Sequence, residues 1–429
     1  MARIQPDEMD LTLVGKPEFM CKQSRMLFRT RAEHGINSDV GDDLVAFARE
    51  KLVGASNETG YNEGQKLAIL ARRIPLDIRT NTSAAIQSIN RQIAQHMRVL
   101  YGITDNNETL LTGSPSEPII SEGAKAAMRK DFSATDALFG VFSSPGISVG
   151  ERGEMVAELL MILASDAATR SGKFSIPSFF ECLLTDISWQ KLKSSQASRG
   201  RCFHTKNFQE TFENSFGNFN HIIKIYGNVP GLKSWYRYLT RRVAISSQFG
   251  QQGIDAAFPY TIDGTAIAPD NTSTMFLQTR SRVGMQKPSE KSFEDMDRIV
   301  HQMHGSGDTD LNPTQPGLKP VIRMIFSLKS HEKEVTVMEY GDYDNDMLAW
   351  DIYVPFSSLR AVQENCHAWH SALTMELNAG RIFFGDKVRM GWPLQRRKAT
   401  IFGQIGGQWG SKRLGIVARR RRKGRRNIG

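Results

Sequence analysis

The sequence lacks most of the features that mark secreted or membrane proteins. It has only four cysteines in 429 residues, too few for the disulfide framework of a secreted domain. Its longest apolar run, Leu159–Ala164, is far shorter than the roughly 20 residues that a membrane-spanning helix needs. The first residues lack the apolar core of a signal peptide. We therefore expect a protein of the cytosol or nucleus, without a membrane span.

The sequence also lacks the common enzyme and metal motifs. Ser171-Gly172-Lys173 has neither the upstream glycine nor the following Ser or Thr of a phosphate-binding loop. The Cys and His residues at 202, 204, 366, 367 and 370 do not have the paired-cysteine spacing of a zinc site. Asp342-x-Asp344-x-Asp346 begins like a calcium loop but lacks its glycine and its final glutamate. We therefore predict no catalytic residues, no metal and no cofactor.

Positive charge is concentrated at the end of the chain. Residues 381–429 contain fifteen Lys or Arg and one acid, whereas residues 1–380 have a net charge of −4. Such a block of one charge is typical of segments that bind polyanions. We expect the tail from residue 392 to be disordered and to bind nucleic acid. Its expected RNA-binding residues are Arg396, Arg397, Lys398, Lys412, Arg413, Arg419, Arg420, Arg421, Arg422, Lys423, Arg425 and Arg426.

Hydrophobic periodicity predicts a mainly α protein, with a helical two-lobed body, a smaller mixed α/β C-terminal region and a flexible basic tail. Helical spacing covers most of the chain to residue 250, including 82–100, 151–169, 208–226 and 232–247. Asp263-Gly264 predicts a tight hairpin, and 321–328, 334–340 and 348–354 are expected strands, the first two paired. The predicted division is an N-terminal arm (1–40), the helical body (41–250), a connecting region of hairpin and helix (251–303), a mobile linker (304–320), the mixed α/β region (321–391) and the tail (392–429).

The best candidate for a binding surface inside the body is the predicted helix 232–247. Three cations with a spacing of four residues form a ridge along it: Lys233, Arg237 and Arg241. Nearby aromatic and basic side chains could stack on bases while the ridge holds phosphates: Trp235, Tyr238 and Arg242. The alternative is an ordinary solvated helix face.

The basic segment 190–206 is a second candidate. It contains no acid and is expected to be an exposed loop, with Arg199 and Arg201 contacting RNA. The alternative is again simple solvation.

In length, expected helical content and basic arm, the chain resembles a nucleoprotein or coat protein of a single-stranded RNA virus. The resemblance implies a groove that binds the RNA backbone, self-association into a nucleocapsid or coat, and contact with a viral polymerase. It implies a place in the virion and the host cytoplasm. The spacing of the basic clusters in the tail would also suit nuclear import receptors and the host nucleus.

Two other classes of function stay open. The first is a metal-dependent enzyme that acts on nucleic acid, with the tail as a tether and acids such as Glu339, Asp342 and Asp351 at its site. The second is a viral movement or matrix protein that binds RNA weakly and its partners strongly.

Overall fold

The computed structural model describes the central part of the chain. The described residues are 39–54, 60–78, 82–103, 110–129, 132–143, 152–170, 172–199, 206–226, 230–248, 251, 253–263, 267–280, 291, 293–296, 319–340, 348–364 and 369. By its internal contacts the chain divides into Met1–Ala379 and Gly380–Gly429, and all described residues lie in the first unit. The predicted arm up to residue 38, the linker from 304 to 318, Arg201, Asp342–Asp346 and the whole tail lie outside them.

The described residues include eleven α-helices with defined bounds and one 3-10 helix, Phe356–Ser358. The α-helices are α1 (Asp39–Val53), α2 (Glu63–Ala71), α3 (Ser83–Gln95), α4 (Pro118–Met128), α5 (Ala134–Ser143), α6 (Arg152–Ala168), α7 (Ile176–Leu183), α8 (Asp186–Lys193), α9 (Phe208–Phe212), α10 (Leu232–Thr240) and α11 (Arg360–Glu364).

The same residues form eleven strands. They are β1 (Val99–Ile103), β2 (Leu110–Gly113), β3 (Phe174–Ser175), β4 (Phe216–Gly217), β5 (His221–Lys224), β6 (Val243–Ser246), β7 (Ala256–Thr261), β8 (Thr272–Arg280), β9 (Val321–Ser327), β10 (Thr336–Val337) and β11 (Ala349–Pro355).

Nine of these strands form one mixed sheet. Its main path runs β10-β11-β9-β8-β7-β4-β3, and β6 joins β7 and carries β5. The pairs β8–β9, β9–β11 and β5–β6 are parallel, and the remaining pairs of the sheet are antiparallel. The prediction of a mainly α fold is therefore wrong. Six of the eleven described strands lie between residues 41 and 250, where the sequence predicts helices and loops but no strand.

Helix α6 is the centre of the helical layer. It was expected over 151–169 with apolar residues on more than one face, and it spans Arg152–Ala168 with 13 of its 17 residues buried. Helices α2 and α3 begin where side chains cap their free N–H groups. Asn62 and Gln65 form a capping box on α2, and Thr82 caps α3 through the Ala85 N–H. In the part of the chain that the structure describes, no helix combines the length and the apolar character of a membrane crossing.

Glu158 is an acid inside this apolar helix. It is 3% exposed, and its Oε1 has no hydrogen-bond partner among the described residues. Burial raises its pKa to about 8, with further contributions from the nearby acids Glu154 and Asp255, whereas a hydrogen bond with Ser246 and the charge of Lys224 oppose the shift. The carboxyl group is therefore mostly protonated at neutral pH.

A buried ion pair joins the two central parallel strands. Arg323 on β9 and Asp351 on β11 are register partners, and both side chains are completely buried. Tyr340 donates a hydrogen bond to Asp351 Oδ2 (2.9 Å), and the Ser198 hydroxyl accepts the Asp351 N–H (2.9 Å). Asp351 is therefore a structural residue of the core.

Candidate nucleic-acid interface

The predicted cationic ridge is partly at the surface. Helix α10 ends at Thr240, and β6 begins at Val243, so the predicted single helix 232–247 is a helix followed by a strand. Arg237 and Arg241 are exposed. The Arg237 guanidinium lies 5.7 Å from the centre of the Tyr236 ring, and Arg241 NH2 donates to the carbonyl (3.0 Å) and hydroxyl (3.2 Å) of Ser116. The side chain of Lys233 lies outside the described part of the structure.

The aromatic residues predicted to stack on bases anchor the helix instead. Trp235 is completely buried in a cluster with Ile245, Phe276 and Ile325, and Tyr238 packs half-buried against the same cluster. Their ring centres are 5.7 Å apart. These residues lie on the apolar face of an amphipathic helix, so burial against the sheet takes precedence over exposure to a ligand.

Arg242 is also buried, contrary to its predicted contact with RNA. It is 5% exposed, and its NH1 lies 2.5 Å from Glu122 Oε1 on α4. Its φ of 57° lies in the left-handed region, because the chain turns from α10 into β6 within two residues. Arg242 therefore holds α10 to α4.

The predicted basic loop 190–206 is in part a buried segment. Its first residues belong to α8, and Arg199 then pairs with Ala349 of β11. The Arg199 side chain is 5% exposed, with Nε 3.8 Å from Asp351 Oδ2. Because the segment packs beside the central strands, Arg199 compensates the buried charge of Asp351 and is not accessible to RNA.

Two exposed tyrosines form a surface that the sequence analysis missed. Tyr101 on β1 is 63% exposed and Tyr226, just after β5, is 68% exposed. A Cβ atom at Gly113 would lie 2.9 Å from Tyr101 Cε2, so the glycine lets the ring lie flat across β2. The Tyr226 hydroxyl lies 3.4 Å from Asp77 Oδ1. Large exposed aromatic rings of this kind are candidates for contacts with a ligand.

Two buried arginines lie close to these rings. Arg72 donates to the carbonyl groups of Pro115 (3.1 Å) and Met97. Arg98 donates to the Thr112 hydroxyl (2.8 Å) and the Leu76 carbonyl (3.1 Å). Both interact electrostatically with Tyr101, and Arg98 also does so with Tyr226.

Nearby carboxylates partly compensate the charge of these arginines. Burial lowers the pKa of Arg72 to about 10 and Glu117 opposes this shift, so Arg72 is cationic at neutral pH. Burial also lowers the pKa of Arg98, and Asp77 opposes that shift. Both guanidinium groups donate their hydrogen bonds to neutral oxygens, and buried cations of this kind favour the approach of an anion.

His221 reports the positive field beneath this surface. The imidazole is buried, and its pKa falls to about 3, first through burial and then through the charges of Arg73, Arg241, Arg242 and Arg72. The four charged residues that lower this pKa are all arginines, although Arg73 and Arg242 are also paired with the carboxylates of Asp166 and Glu122.

The hydrogen bonds of His221 link the exposed Arg241 to the interior. Asn220 donates to Glu122 Oε1 (2.9 Å), which leaves Asn220 Oδ1 to accept the His221 Nδ1–H (2.6 Å). His221 Nε2 then accepts from the Ser116 hydroxyl (2.9 Å). The order Ser-His-Asn is that of a nucleophilic hydrolase, but a general base works best with a pKa near the working pH. With a pKa of about 3, His221 is a weak base. We therefore interpret this series of hydrogen bonds as a structural support for Arg241.

We call this region the tyrosine–arginine surface. It consists of Tyr101, Tyr226 and Arg241 at the surface, with Arg72 and Arg98 below, and the exposed Arg237 lies one helical turn before Arg241. Aromatic rings can stack on any base, and cations attract any phosphate, so the surface offers contacts that do not depend on sequence.

The acids of the enzyme alternative do not form a site in the described residues. Asp351 is buried and paired with Arg323, whereas Glu339 is exposed. No group of three or more His, Cys, Asp or Glu side chains in the described ranges has the geometry to hold a metal ion.

Comparison with protein-family models, with curated proteins and with solved structures gives no match to this chain.

Proposed function

We propose that this protein binds single-stranded RNA without sequence preference. The tyrosine–arginine surface stacks bases and attracts phosphates, and the basic tail 392–429 adds affinity. The observation that carries the proposal is the pair of exposed rings, Tyr101 and Tyr226, beside the buried cations Arg72 and Arg98. Exposed aromatic rings and buried cations both cost free energy, so their combination at one surface suits a ligand that supplies bases and phosphates.

The surface and the tail have different parts in this proposal. Base stacking on one aromatic ring contributes about 1–3 kcal/mol and tolerates any base. The twelve cations of residues 392–429 add the salt-dependent part of the affinity through release of counter-ions from the RNA.

We further propose that the protein packages RNA by self-assembly. The resemblance to viral nucleoproteins and coat proteins rests on chain length, a mainly helical content and the basic arm. Because the fold is mixed and not mainly α, helical content no longer supports this resemblance. Assembly into a nucleocapsid or coat, contacts with a viral polymerase and with import receptors, and a place in the virion are therefore supported by chain length and the tail alone.

The binding proposal is tested by fluorescence anisotropy with labelled 20-nucleotide RNAs of different sequence. We expect similar affinities for all of them, and Tyr101→Ala combined with Tyr226→Ala should weaken binding by about 5- to 150-fold per stacked base. The control is Ile187→Ala on α8, which removes a side chain of similar exposure (67%) outside the surface. Unchanged affinity in the double variant would overturn the assignment of the surface.

Assembly is tested by size-exclusion chromatography with absorbance at 260 and 280 nm, with and without nuclease and salt. Co-purifying RNA in large particles supports packaging. A monomer free of nucleic acid at low salt contradicts it.

A further inference from the structure

A second polar site lies away from the tyrosine–arginine surface. A cavity of about 750 Å³ opens between the C-terminal end of α1, the N-terminal end of α2 and the C-terminal end of α3. Its size falls within the range of small-molecule sites.

Hydrogen bonds between the three helices hold its walls in place. Gln65 Nε2 donates to the Val53 carbonyl (2.6 Å), and Gln92 Nε2 donates to the Gly64 carbonyl (2.8 Å). The helix ends that line the cavity are therefore held together before any ligand arrives.

One side of the cavity suits an anion. The N–H groups of Glu63 and Gly64 belong to the first turn of α2, and neither is bonded to a described residue. The exposed Arg91 on α3 also lines the cavity and forms no ion pair in the described ranges. Free N–H groups at a helix N-terminus together with a guanidinium are the usual elements of a phosphate site.

The other side offers a buried hydrogen-bond acceptor. His96 is 7% exposed, and its Nδ1 donates to the Leu52 carbonyl (2.8 Å). This bond leaves Nε2 as an acceptor in the neutral ring. Nε2 lines the cavity 3.5 Å from where a Cβ of Gly64 would stand, and it has no partner among the residues described. A ligand that meets it must donate a proton, as a hydroxyl group does.

The acid at the cavity is turned away from the anion position. Glu63 Oε1 bonds to Lys66 Nζ (2.8 Å). Its Oε2 lies 2.5 Å from where a Cβ of Gly140 on α5 would stand. The pair with Lys66 offsets its charge.

We propose that this cavity binds one ribonucleotide unit. Its phosphate contacts Arg91 and the first turn of α2, and its ribose 2′-hydroxyl donates a hydrogen bond to His96 Nε2. The site thereby distinguishes RNA from DNA, since the 2′-hydroxyl is the group that DNA lacks. The identification of the ligand rests on the proposed RNA binding, whereas the cavity and its polar groups do not.

The test is calorimetric titration of the full chain with uridine 5′-monophosphate, its 2′-deoxy analogue and inorganic phosphate. We expect the ribonucleotide to bind about tenfold more tightly than the deoxy analogue, because the acceptor on His96 is unpaired in the latter complex. Arg91→Ala should weaken all three ligands by about tenfold or more. His96→Asn retains a donor toward Leu52 and should abolish the preference for ribose alone. Arg49→Ala on α1 removes an equal charge outside the cavity and should change nothing.

The same variants are then titrated with RNA and with DNA of one sequence. Weaker RNA binding by Arg91→Ala supports the site and assigns it to a unit of the RNA chain. Lost monophosphate binding with unchanged RNA affinity supports the site and assigns it to a free nucleotide.

If wild-type protein binds RNA but not the monophosphate, and Arg91→Ala and His96→Asn bind RNA and DNA like wild type, the inference is overturned and the tyrosine–arginine surface is unaffected. If the chain binds no RNA, the proposed function fails, and monophosphate binding alone decides whether the cavity is a site. Equal melting temperatures of the variants show that they are folded.

Discussion

Replacing Glu158 by glutamine should stabilise the protein increasingly as the pH rises. In the folded protein the pKa of Glu158 is about 8, and the ordinary value is 4.5. Below pH 4.5 the carboxyl group is protonated in both the folded and the unfolded protein, and the stability of the folded state is fully present. Between pH 4.5 and pH 8 the group ionises in the unfolded chain but stays protonated in the folded protein, so the free energy of unfolding falls as the pH rises. Glutamine has nearly the same shape, stays neutral and removes the loss.

The size of the effect follows from the shift in pKa. Each unit corresponds to about 1.4 kcal/mol, so the gain should be about 1 kcal/mol at pH 5 and about 3–6 kcal/mol at pH 9. Urea denaturation at pH 5, 7 and 9 measures it as the difference in the free energy of unfolding between Glu158→Gln and wild type. Glu181→Gln, an exposed glutamate on α7, is the control and should show a difference that does not depend on pH. If the gain from Glu158→Gln is the same at pH 5 and pH 9, the carboxyl group is not held in a neutral state and the reasoning is refuted.

Three further predictions concern the candidate interface and the tail. Arg242→Met leaves Glu122 buried without its partner and should lower the free energy of unfolding by about 3–5 kcal/mol; an unchanged urea midpoint would contradict the buried pair. Gly113→Ala places a Cβ atom 2.9 Å from the Tyr101 ring, so the ring must move. We expect weaker RNA binding in anisotropy measurements with little change in melting temperature, and wild-type affinity would show that the ring's position is irrelevant. Deleting residues 412–429 should flatten the dependence of RNA affinity on salt concentration, and an unchanged slope would mean that the tail does not contact phosphates.

Local patterns in the sequence predicted several elements correctly. The apolar residues of α6 cover most of its circumference, which indicates a buried helix in any fold. Asp263-Gly264 predicted a tight hairpin; β7 and β8 do pair antiparallel around it, but the last pair is Thr261 with Thr272, so the connection is ten residues long and not tight. The strands expected over 321–328 and 348–354 are confirmed as β9 and β11.

The elements predicted wrongly depend on contacts between distant residues. Segments 208–226 and 232–247 have helical spacing, yet their second halves form β5 and β6, which pair with each other. Their β-branched residues suit a strand beside an existing sheet, so tertiary pairing decides between the two states. The expected pairing of 321–328 with 334–340 is also wrong, because β9 pairs in parallel with β8 and β11. Parallel neighbours need long connections, and sequence distance does not reveal them.

The candidate site shows the same limit. The sequence identified Arg237 and Arg241 by their spacing, but it could not separate them from Arg242, which turns inward one residue later. Tyr101 was missed because the predicted helix 82–100 includes the first two residues of β1, so that no strand was expected at Tyr101. Its exposure follows from the pairing of β1 with β2 and from the absence of a side chain at Gly113.

The buried pair of Arg323 and Asp351 has a consequence for how the central strands align during folding. A shift of β11 by one residue along β9 would turn Asp351 to the opposite face of the sheet. Arg323 would then be enclosed in the core with no carboxylate of β11 opposite it, at a cost of several kcal/mol. Apolar strands such as 321–327 and 349–355 could otherwise slide past each other with little loss of burial. The ion pair between Arg323 and Asp351 therefore disfavours other registers of β9 and β11.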